Sequence, residues 1–279
     1  MTEPTLYPES GFLRLRIDLA YDGTNFSGWG KQPDRRTVQE EVEKALTTAT
    51  QSKIETIVAG RTDAGVHATG QVIHVDVPDT LNLDDLSYKL NRMLDTDVRV
   101  MKVAVVNGPF NARFSALRRH YTYKILDGNQ TISPLDRLDV ASWYRVLDVD
   151  LMNQASALML GSHDFAAYCK FREGSTTIRN LLRFEWSRDS AGFLIGDVVA
   201  DSFCYSMVRN LVGAVVCVAD GRKEAAWMGE LLANKERVSD SLVFPARGLT
   251  LSSVEYPTND QLIERAKVKI GRASCRERV

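Results

Sequence analysis

The sequence predicts an α+β protein built around one mixed, mainly antiparallel β-sheet. Apolar and polar residues alternate in several segments, which is typical of strands with one buried face. Between those segments, apolar residues recur at the spacing of amphipathic helices. The two kinds of segment follow one another in a similar order in both halves of the chain, so we expect two halves of the same plan.

The first half begins with a strand predicted at 13–21, in which an apolar residue occupies every second position. Thr37 and Glu40 have the capping-box pattern, which predicts the start of a helix over about 38–50. The other elements predicted here are strands at about 54–59 and 71–77, a helix around 86–93 and a strand at 98–106. The order β-α-β-β-α-β is the split βαβ or ferredoxin-like plan, an antiparallel sheet with helices on one face.

The second half repeats the order of elements without a visible residue-level repeat. Its predicted elements are a strand around 121–125, a helix at 151–160, paired strands at 176–188 and 193–201, an apolar helix at 207–218 and a strand around 249–254. We therefore predict two ferredoxin-like halves, residues 1–108 and 109–257, joined into one sheet with helices on one face and a cleft between the halves.

Residues 258–279 are predicted to be a tail outside this fold. Within it, 270–279 resemble translated adapter DNA more than protein, so we expect them to be non-native. The alternative is a genuine basic tail that contacts RNA.

Composition and charge limit the function. The 279 residues are 44% hydrophobic and 25% charged, as in an ordinary soluble chain. No apolar run approaches the ~20 residues of a membrane span, and the polar beginning of the chain is unlike a signal peptide, so we expect no membrane partner and a cytoplasmic location. The four cysteines have no C-x-x-C or zinc spacing, and we expect free thiols at Cys169, Cys204, Cys217 and Cys275.

A net charge of −1 gives no global signature of nucleic-acid binding. A polyanionic partner must therefore be met by a local basic patch. One such patch is predicted at 109–126, a stretch that contains Arg113, Arg118 and Arg119 and no acidic residue.

The stretch 59–69 is the strongest candidate for an active-site loop. Gly60 and Gly65 bracket a polar segment that carries Arg61 and Asp63, and glycine allows positive φ or a close approach to a ligand. The alternative is a local Asx turn, which Asp shortly before Gly commonly forms.

Two other chemistries do not suit this loop. A P-loop is excluded because Val66 and His67 stand where Lys and Ser/Thr would be needed. Asp63 and His67 are four residues apart, but a third ligand is not visible, so we expect no metal site.

Arg209 lies near the start of the apolar helix predicted at 207–218. An arginine in so apolar a helix is rarely buried unless it is paired. It could equally point outward with its charge in solvent, and the residues alone leave both possibilities open.

Several motifs together resemble the tRNA pseudouridine synthase A family, over about residues 12–256 and in the family's order. They are Tyr21-Asp22-Gly23-Thr24, Gly28-Trp29, Arg36-Thr37-Val38-Gln39, Gly60 to Ala68, Ala112 to Ala116, Tyr121-Thr122-Tyr123, Met207-Val208-Arg209 and Gly248-Leu249. Gly30 and His120 depart from the usual residues, but neither touches the expected nucleophile.

The resemblance implies a role for each candidate residue. Asp63 is expected to be the catalytic aspartate, Tyr121 the ring that packs against the target base, Arg61 a base-flipping and RNA contact, and Arg209 the partner of Asp63. Further RNA contacts are expected from Arg113, Arg118, Arg119 and His67.

The resemblance also implies the reaction, the isomerisation of uridine to pseudouridine at positions 38 to 40 of the tRNA anticodon stem-loop by a homodimer. This reaction breaks the N-glycosidic bond, turns the base and rejoins it through C5 with no redox change, so no cofactor is expected. It needs an ionised carboxylate to attack C6 or C1′, and a nearby arginine favours that form. The target base must leave its stack, at a cost of a few kcal/mol that stacking on an aromatic ring (~1–3 kcal/mol) offsets.

A non-catalytic RNA-binding module of RRM-like fold is the alternative, because it shares the β-α-β-β-α-β order. Its RNP1 pattern should lie in the third strand, and neither 71–77 nor 192–199 contains that pattern.

Overall fold

The computed structural model describes residues 6–170, 176–235, 243–258 and 260–263. Most of the predicted tail, including 270–279 and Cys275, lies outside these residues. A ten-stranded sheet forms the centre of the molecule, and one contiguous hydrophobic core extends along it from Leu15 to Leu262. Within the described ranges, no helix has the length and apolar character needed to cross a membrane.

The first group of elements follows the predicted order. It consists of β1 (Phe12–Tyr21), α1 (Val38–Thr50), β2 (Ile57–Val58), β3 (His67–Pro78), α2 (Leu86–Met93) and β4 (Val98–Val105). Strand β1 lies between β4 and β3, β2 pairs with β3, and all these pairs are antiparallel. Strand β3 begins at His67, earlier than predicted, so the polar loop spans only 59–66.

The second group contains more elements than the sequence predicts. It consists of β5 (Arg118–Leu126), β6 (Ala141–Ser142), α3 (Val149–Ala157), β7 (Gly161–Asp164), β8 (Ile178–Arg188), β9 (Leu194–Ala200), α4 (Met207–Ala219), α5 (Ala226–Asn234) and β10 (Leu249–Glu255). Five strands lie in the order β10-β5-β9-β8-β7, each antiparallel to the next, and β6 pairs in parallel with β5. The unpredicted β6 and β7 are two and four residues long, too short to show an alternating pattern.

The two groups join where β3 and β10 run parallel, with Thr250 opposite His67 and Leu251 opposite Ala68. The backbones approach so closely here that a Cβ on Gly70 would lie 2.2 Å from the carbonyl oxygen of Ser252. Because the loop 59–66 leads directly into β3, this junction places the loop beside the second group of strands. Strand β5, which carries Tyr121, follows as the next neighbour of β10.

Helix α4 is buried along almost its whole length, as expected of a helix that is apolar on all sides. Its first turn carries Arg209, whose side chain is 21% exposed. Arg209 therefore lies at the one end of the helix where a charged head can reach a partner at the surface of the core.

The capping box predicted for α1 is wrong. The Thr37 side chain makes no cap hydrogen bond, and its buried Oγ1 has no partner among the described residues. The first N–H groups of the helix bond to other backbone instead, Val38 N to the carbonyl of Gly28 and Gln39 N to that of Trp29. A tertiary contact thus satisfies the donors that a capping side chain usually takes.

The prediction of free thiols is wrong for Cys169 and Cys204, which form a disulfide with their Cα atoms 5.8 Å apart. The two residues are 35 positions apart with no recognisable motif. Only the fold brings the short 3-10 helix Ala166–Tyr168 next to the segment that precedes α4. Cys217 is buried within α4.

Candidate active site

The loop 59–66 lies on the segment 23–29, which shapes its backbone. The carbonyl of Thr62 accepts a hydrogen bond from Trp29 N (3.1 Å), and Gly65 N donates to the carbonyl of Phe26 (3.3 Å). Gly28 has a φ of +94°, and a Cβ there would lie 2.8 Å from the Thr62 carbonyl oxygen. Any side chain at position 28 would therefore push the loop away from its support.

A buried polar network supports the loop from below. The Tyr21 hydroxyl and Thr62 Oγ1 are 2.8 Å apart, while Gln71 Nε2 donates to the carbonyl of Gly60 (2.8 Å) and to the Tyr21 hydroxyl (3.2 Å). Burial raises the pKa of Tyr21 to about 12, so its hydroxyl stays neutral at physiological pH. The network is satisfied by donors and acceptors within the first half, and it fixes the part of the loop that precedes Asp63.

Asp63 meets the first turn of α4 across the junction. Its Oδ2 accepts a hydrogen bond from Ser206 Oγ (2.8 Å) and lies 3.6 Å from Arg209 Nη1. Arg209 Nε donates to the carbonyl of Phe244 (2.8 Å), which orients the guanidinium. The structure thus brings together two predicted site residues, Asp63 and Arg209, that are 146 positions apart in the sequence.

Tyr121 on β5 lies in the same region. Its ring is 7% exposed and packs edge-on against Phe203, with centroids 5.1 Å apart. Burial raises the pKa of Tyr121, and nearby Tyr21 and the charge of Asp63 raise it further. Tyr121 is therefore a neutral aromatic ring close to the carboxylate.

His67 occupies a different position from the one expected of an RNA contact. It is 6% exposed, and its Nδ1 accepts a hydrogen bond from Gly23 N (3.0 Å). Nε2 must then carry the proton and donate to the carbonyls of Leu138 (2.9 Å) and Arg247 (3.1 Å). Nδ1 is also 3.1 Å from an Asp22 carboxylate oxygen, but an ion pair would need a proton where the Gly23 N–H already points. The buried ring therefore ties three loops together.

Arg119 is likewise buried, with 8% exposure, which does not fit the predicted phosphate contact. Its Nη2 donates to the carbonyls of Ala59 (2.7 Å) and Arg113 (2.8 Å), and its Nη1 donates to that of Asp201 (2.7 Å). Burial also lowers the pKa of Arg119. The side chain fastens the base of the Asp63 loop to the end of β9.

Arg61, Arg113 and Arg118 are exposed, as expected of residues that contact a polyanion. The Arg61 guanidinium lies alongside Gly30, where an added Cβ would be 3.8 Å from it. Arg113 lies 5.2 Å above the centre of the Phe114 ring, and Arg118 Nε is 3.4 Å from a carboxylate oxygen of Glu255.

Ser206 and Phe203 are the site residues that sequence reasoning missed. A serine before a helix suggests an N-cap, but Ser206 has a left-handed backbone (φ 60°) and makes no cap hydrogen bond. Its side chain turns to Asp63 instead. No local pattern in the sequence signals this contact, because the partner comes from the other half of the chain.

A possible metal site lies elsewhere. Among the described residues, only Glu41, Asp95 and Asp97 cluster closely enough to hold an ion. The Arg36 guanidinium contacts all three, at 2.5 Å, 3.2 Å and 2.6 Å respectively, and the carboxylates of Asp97 and Glu41 raise the pKa of Arg36. The cluster therefore already has a cation, and its role is to hold the segment before α1 in place.

The site is an aspartate on a glycine-bracketed loop, held by a serine and an arginine from a distant helix and close to a buried tyrosine. A carboxylate held in this way close to an aromatic ring is an arrangement typical of enzyme active sites. The tRNA pseudouridine synthase family profile matches residues 19–115 and 155–257. The chain belongs to the tRNA pseudouridine synthase family.

Curated relatives cover nearly all of the chain. It is 52% identical to tRNA pseudouridine synthase A of Streptomyces griseus, over 92% of this chain and 93% of that one. The corresponding protein of Frankia casuarinae is 49% identical over 92% and 94%, and that of Mycobacterium leprae 45% identical over 96% and 97%.

Among solved structures, a Cbf5-Nop10-Gar1 complex matches with a TM-score of 0.31 and 9% identity, over 73% of this chain and 54% of that one. This likeness is too weak to carry an argument.

Proposed function

We propose that the chain isomerises uridine to pseudouridine in tRNA, with Asp63 as the nucleophile. The observation that carries the proposal is the state of the Asp63 carboxylate. Ser206 and Arg209 both contact Oδ2, whereas no described residue donates a hydrogen bond to Oδ1. One oxygen is thus held by the protein and the other is available to a substrate.

The chemistry needs only this carboxylate and a way to hold the base. The N1–C1′ bond breaks, the uracil turns, and a C5–C1′ bond forms while C5 loses a proton and N1 gains one. Atoms and electrons balance within the substrate, so the carboxylate returns unchanged after adding to C6 or C1′. Arg209 Nη1 lies 3.6 Å from Oδ2, where its positive charge attracts the carboxylate and helps to hold it in place.

Tyr121 and Arg61 are proposed to hold the flipped base. Tyr121 offers a neutral aromatic face close to Asp63, and stacking of a base on such a ring contributes ~1–3 kcal/mol. Arg61 is exposed on the same loop as Asp63, two residues away, where its charge can contact the RNA beside the vacated stack.

We infer that the two groups of strands are two ferredoxin-like halves, residues 1–108 and 109–257, with helices on one face and the catalytic cleft between them. The strand orders β4-β1-β3-β2 and β10-β5-β9-β8 support this inference, because both follow the split βαβ plan. Asp63 would come from the first half, and Tyr121, Ser206 and Arg209 from the second.

The finer substrate and assembly are also proposals. By family resemblance we expect uridines 38 to 40 of the anticodon stem-loop, a homodimer and a cytoplasmic location where tRNA is available. The exposed Arg113 and Arg118 support an RNA surface beside the cleft, since phosphate contacts need accessible cations.

The test is to incubate the purified protein with unmodified tRNA and map pseudouridine by position. We expect product at positions 38 to 40, and none from an Asp63→Asn protein prepared in parallel. Product at other positions would refute the site assignment on tRNA. Binding of tRNA without any product would favour the RNA-binding module instead.

A further inference from the structure

Ser206, the residue immediately before α4, has an unusual backbone and an unusual partner. Its φ and ψ of 60° and 14° are left-handed, a region that few residues other than glycine adopt. Its hydroxyl makes no cap hydrogen bond to the helix and donates to Asp63 Oδ2 at 2.8 Å instead. Such a conformation persists only where the surroundings enforce it.

Ser206 is the closest donor to the proposed nucleophile. Arg209 Nη1 lies 3.6 Å from the same oxygen, which is an ion-pair distance and not a hydrogen bond. A hydrogen bond to a charged group is among the stronger ones in proteins. Ser206 therefore fixes the direction of the Asp63 side chain more tightly than Arg209 does.

The segment around Ser206 is held on both sides. Its carbonyl accepts hydrogen bonds from Asn210 N (3.1 Å) and Asn210 Nδ2 (2.9 Å). Just upstream, Lys170 N donates to the carbonyl of Tyr205 (3.0 Å), and Cys204 is linked to Cys169. The hydroxyl thus projects toward Asp63 from a fixed backbone, and it does not depend on the loop 59–66 for its own position.

We propose that Ser206 is a positioning residue for the reaction. Its hydroxyl binds Oδ2 and holds the carboxylate in one orientation, with Oδ1 toward the substrate, before the substrate binds. This inference rests on the proposed function, because it assigns Ser206 a role only if Asp63 is the nucleophile. Pre-orientation of a reacting group acts on the chemical step and leaves substrate binding almost unchanged.

The test compares Ser206→Ala and Ser206→Gly with the unmodified protein. Both variants lose the hydroxyl, but glycine adopts the left-handed backbone without strain whereas alanine does not. We expect kcat to fall about 10- to 100-fold in both, the range that corresponds to loss of one hydrogen bond to a charged group, with KM within about twofold. Ser202→Ala is the matched control with unchanged kcat, since the Ser202 hydroxyl faces Asp201.

A second readout does not depend on activity. The stability loss of Ser206→Ala, measured by thermal unfolding, should be smaller in a protein that already carries Asp63→Ala. Additive losses would show that the hydroxyl and the carboxylate do not interact in solution.

The outcomes separate this inference from the proposed function. An unmodified protein that forms no pseudouridine overturns the proposed function and this inference with it. If the unmodified protein is active, unchanged kcat in both variants overturns the inference alone. Loss of activity in Ser206→Ala with full activity in Ser206→Gly also overturns it, because that result assigns the effect to the backbone.

Discussion

Two arginine–aspartate pairs in this protein differ in how completely their atoms are engaged. Arg14 on β1 is 1% exposed and binds both carboxylate oxygens of Asp76 on β3, each at 2.7 Å, while its Nη1 donates to the carbonyl of Phe110 (2.6 Å). Arg209 reaches only one oxygen of Asp63, at 3.6 Å. The first pair lies within neighbouring strands, and the second crosses the junction between the two groups of strands.

The difference separates a pair whose geometry suits a structural role from one that, under the proposed function, is the reactive pair. A buried ion pair offsets its desolvation only when its geometry is good and its other donors are satisfied, as at Arg14 and Asp76. The pair at Asp63 leaves one carboxylate oxygen without a donor among the described residues, and under the proposed function this oxygen faces the substrate. Sites that break a structural rule in this way are usually functional.

The largest effect is expected from Asp63→Asn. An amide fits the site but cannot add to C6 or C1′, so turnover should fall by at least ~10³-fold, more than ~4 kcal/mol in barrier height. Binding of tRNA should change little, because most of its affinity comes from phosphate contacts. Single-turnover assays and binding titrations measure the two effects.

Asp76→Asn is the matched control for Asp63→Asn. It should lower stability and leave the rate per folded molecule intact. Equal turnover in the two asparagine variants would remove the distinction between the pairs.

The stability effect should be largest at the structural pair. Arg14→Met leaves Asp76 without its bidentate partner and should reduce the free energy of unfolding by about 3 to 4 kcal/mol, the low end for a broken buried pair because the Asp76 side chain is 32% exposed. Urea unfolding measures the change.

Arg209→Met, which removes the same group from the pair at Asp63, should cost about 1 to 2 kcal/mol of stability, because the Phe244 carbonyl loses its donor, and lower turnover about 100-fold. A larger stability loss in Arg209→Met than in Arg14→Met would invert the comparison.

The structural pair also predicts how stability depends on pH. His74 on β3 is 2% exposed, and burial together with the charge of Arg14 lowers the pKa of His74 from 6.5 to about 4. The unfolded chain takes up a proton below pH 6.5 and the folded chain does so only near pH 4. The contribution of neutral His74 to the free energy of unfolding is therefore fully present above pH 6.5, and about 3 kcal/mol of it is lost as the pH drops toward 4.

Urea titrations between pH 7 and pH 4 test this dependence in His74→Asn and in His163→Asn, the matched control. The drop should shrink in the first variant and persist in the second. If both variants keep the full drop, another group is responsible for it.

The smallest effect concerns the arginines of the basic stretch. Arg118 is exposed, so Arg118→Ala should weaken binding to all tRNAs alike and reduce the slope of log K against log salt by about 1. Arg119→Ala should instead destabilise the fold, since it leaves three backbone carbonyls without their donor, that of Ala59 in a buried position.

Filter-binding assays at several salt concentrations compare these two variants with Arg92→Ala, an exposed arginine on α2. We expect the Arg92 variant to keep the original slope. A change in affinity for one tRNA only would mean that Arg118 contacts bases.

Periodicity predicted the long elements well because their burial follows a repeating pattern. Strands β1, β5 and β9 and helices α1 and α4 lie where alternation or helical spacing placed them. The short β6 and β7 and the early start of β3 were missed, since pairing with a distant strand defines them and their own side chains do not.

The residues of the candidate site were also predicted only in part. Motifs alone indicated Asp63, Tyr121 and Arg209. They also indicated His67 and Arg119 as RNA contacts, although both side chains are buried against backbone carbonyls. The sequence alone does not distinguish a polar motif residue that contacts the ligand from one that supports the loop behind it.

What the sequence determined by itself was local: the amphipathic pattern of each element, the glycine-bracketed loop and the set of motifs shared with the family. Only the tertiary structure decided which of these residues meet. Asp63 gains Ser206 and Arg209 because β10 pairs in parallel with β3, and Cys169 gains Cys204 because the 3-10 helix lies beside the start of α4. These contacts join residues far apart in the chain, and their energy depends on distances that no local pattern encodes.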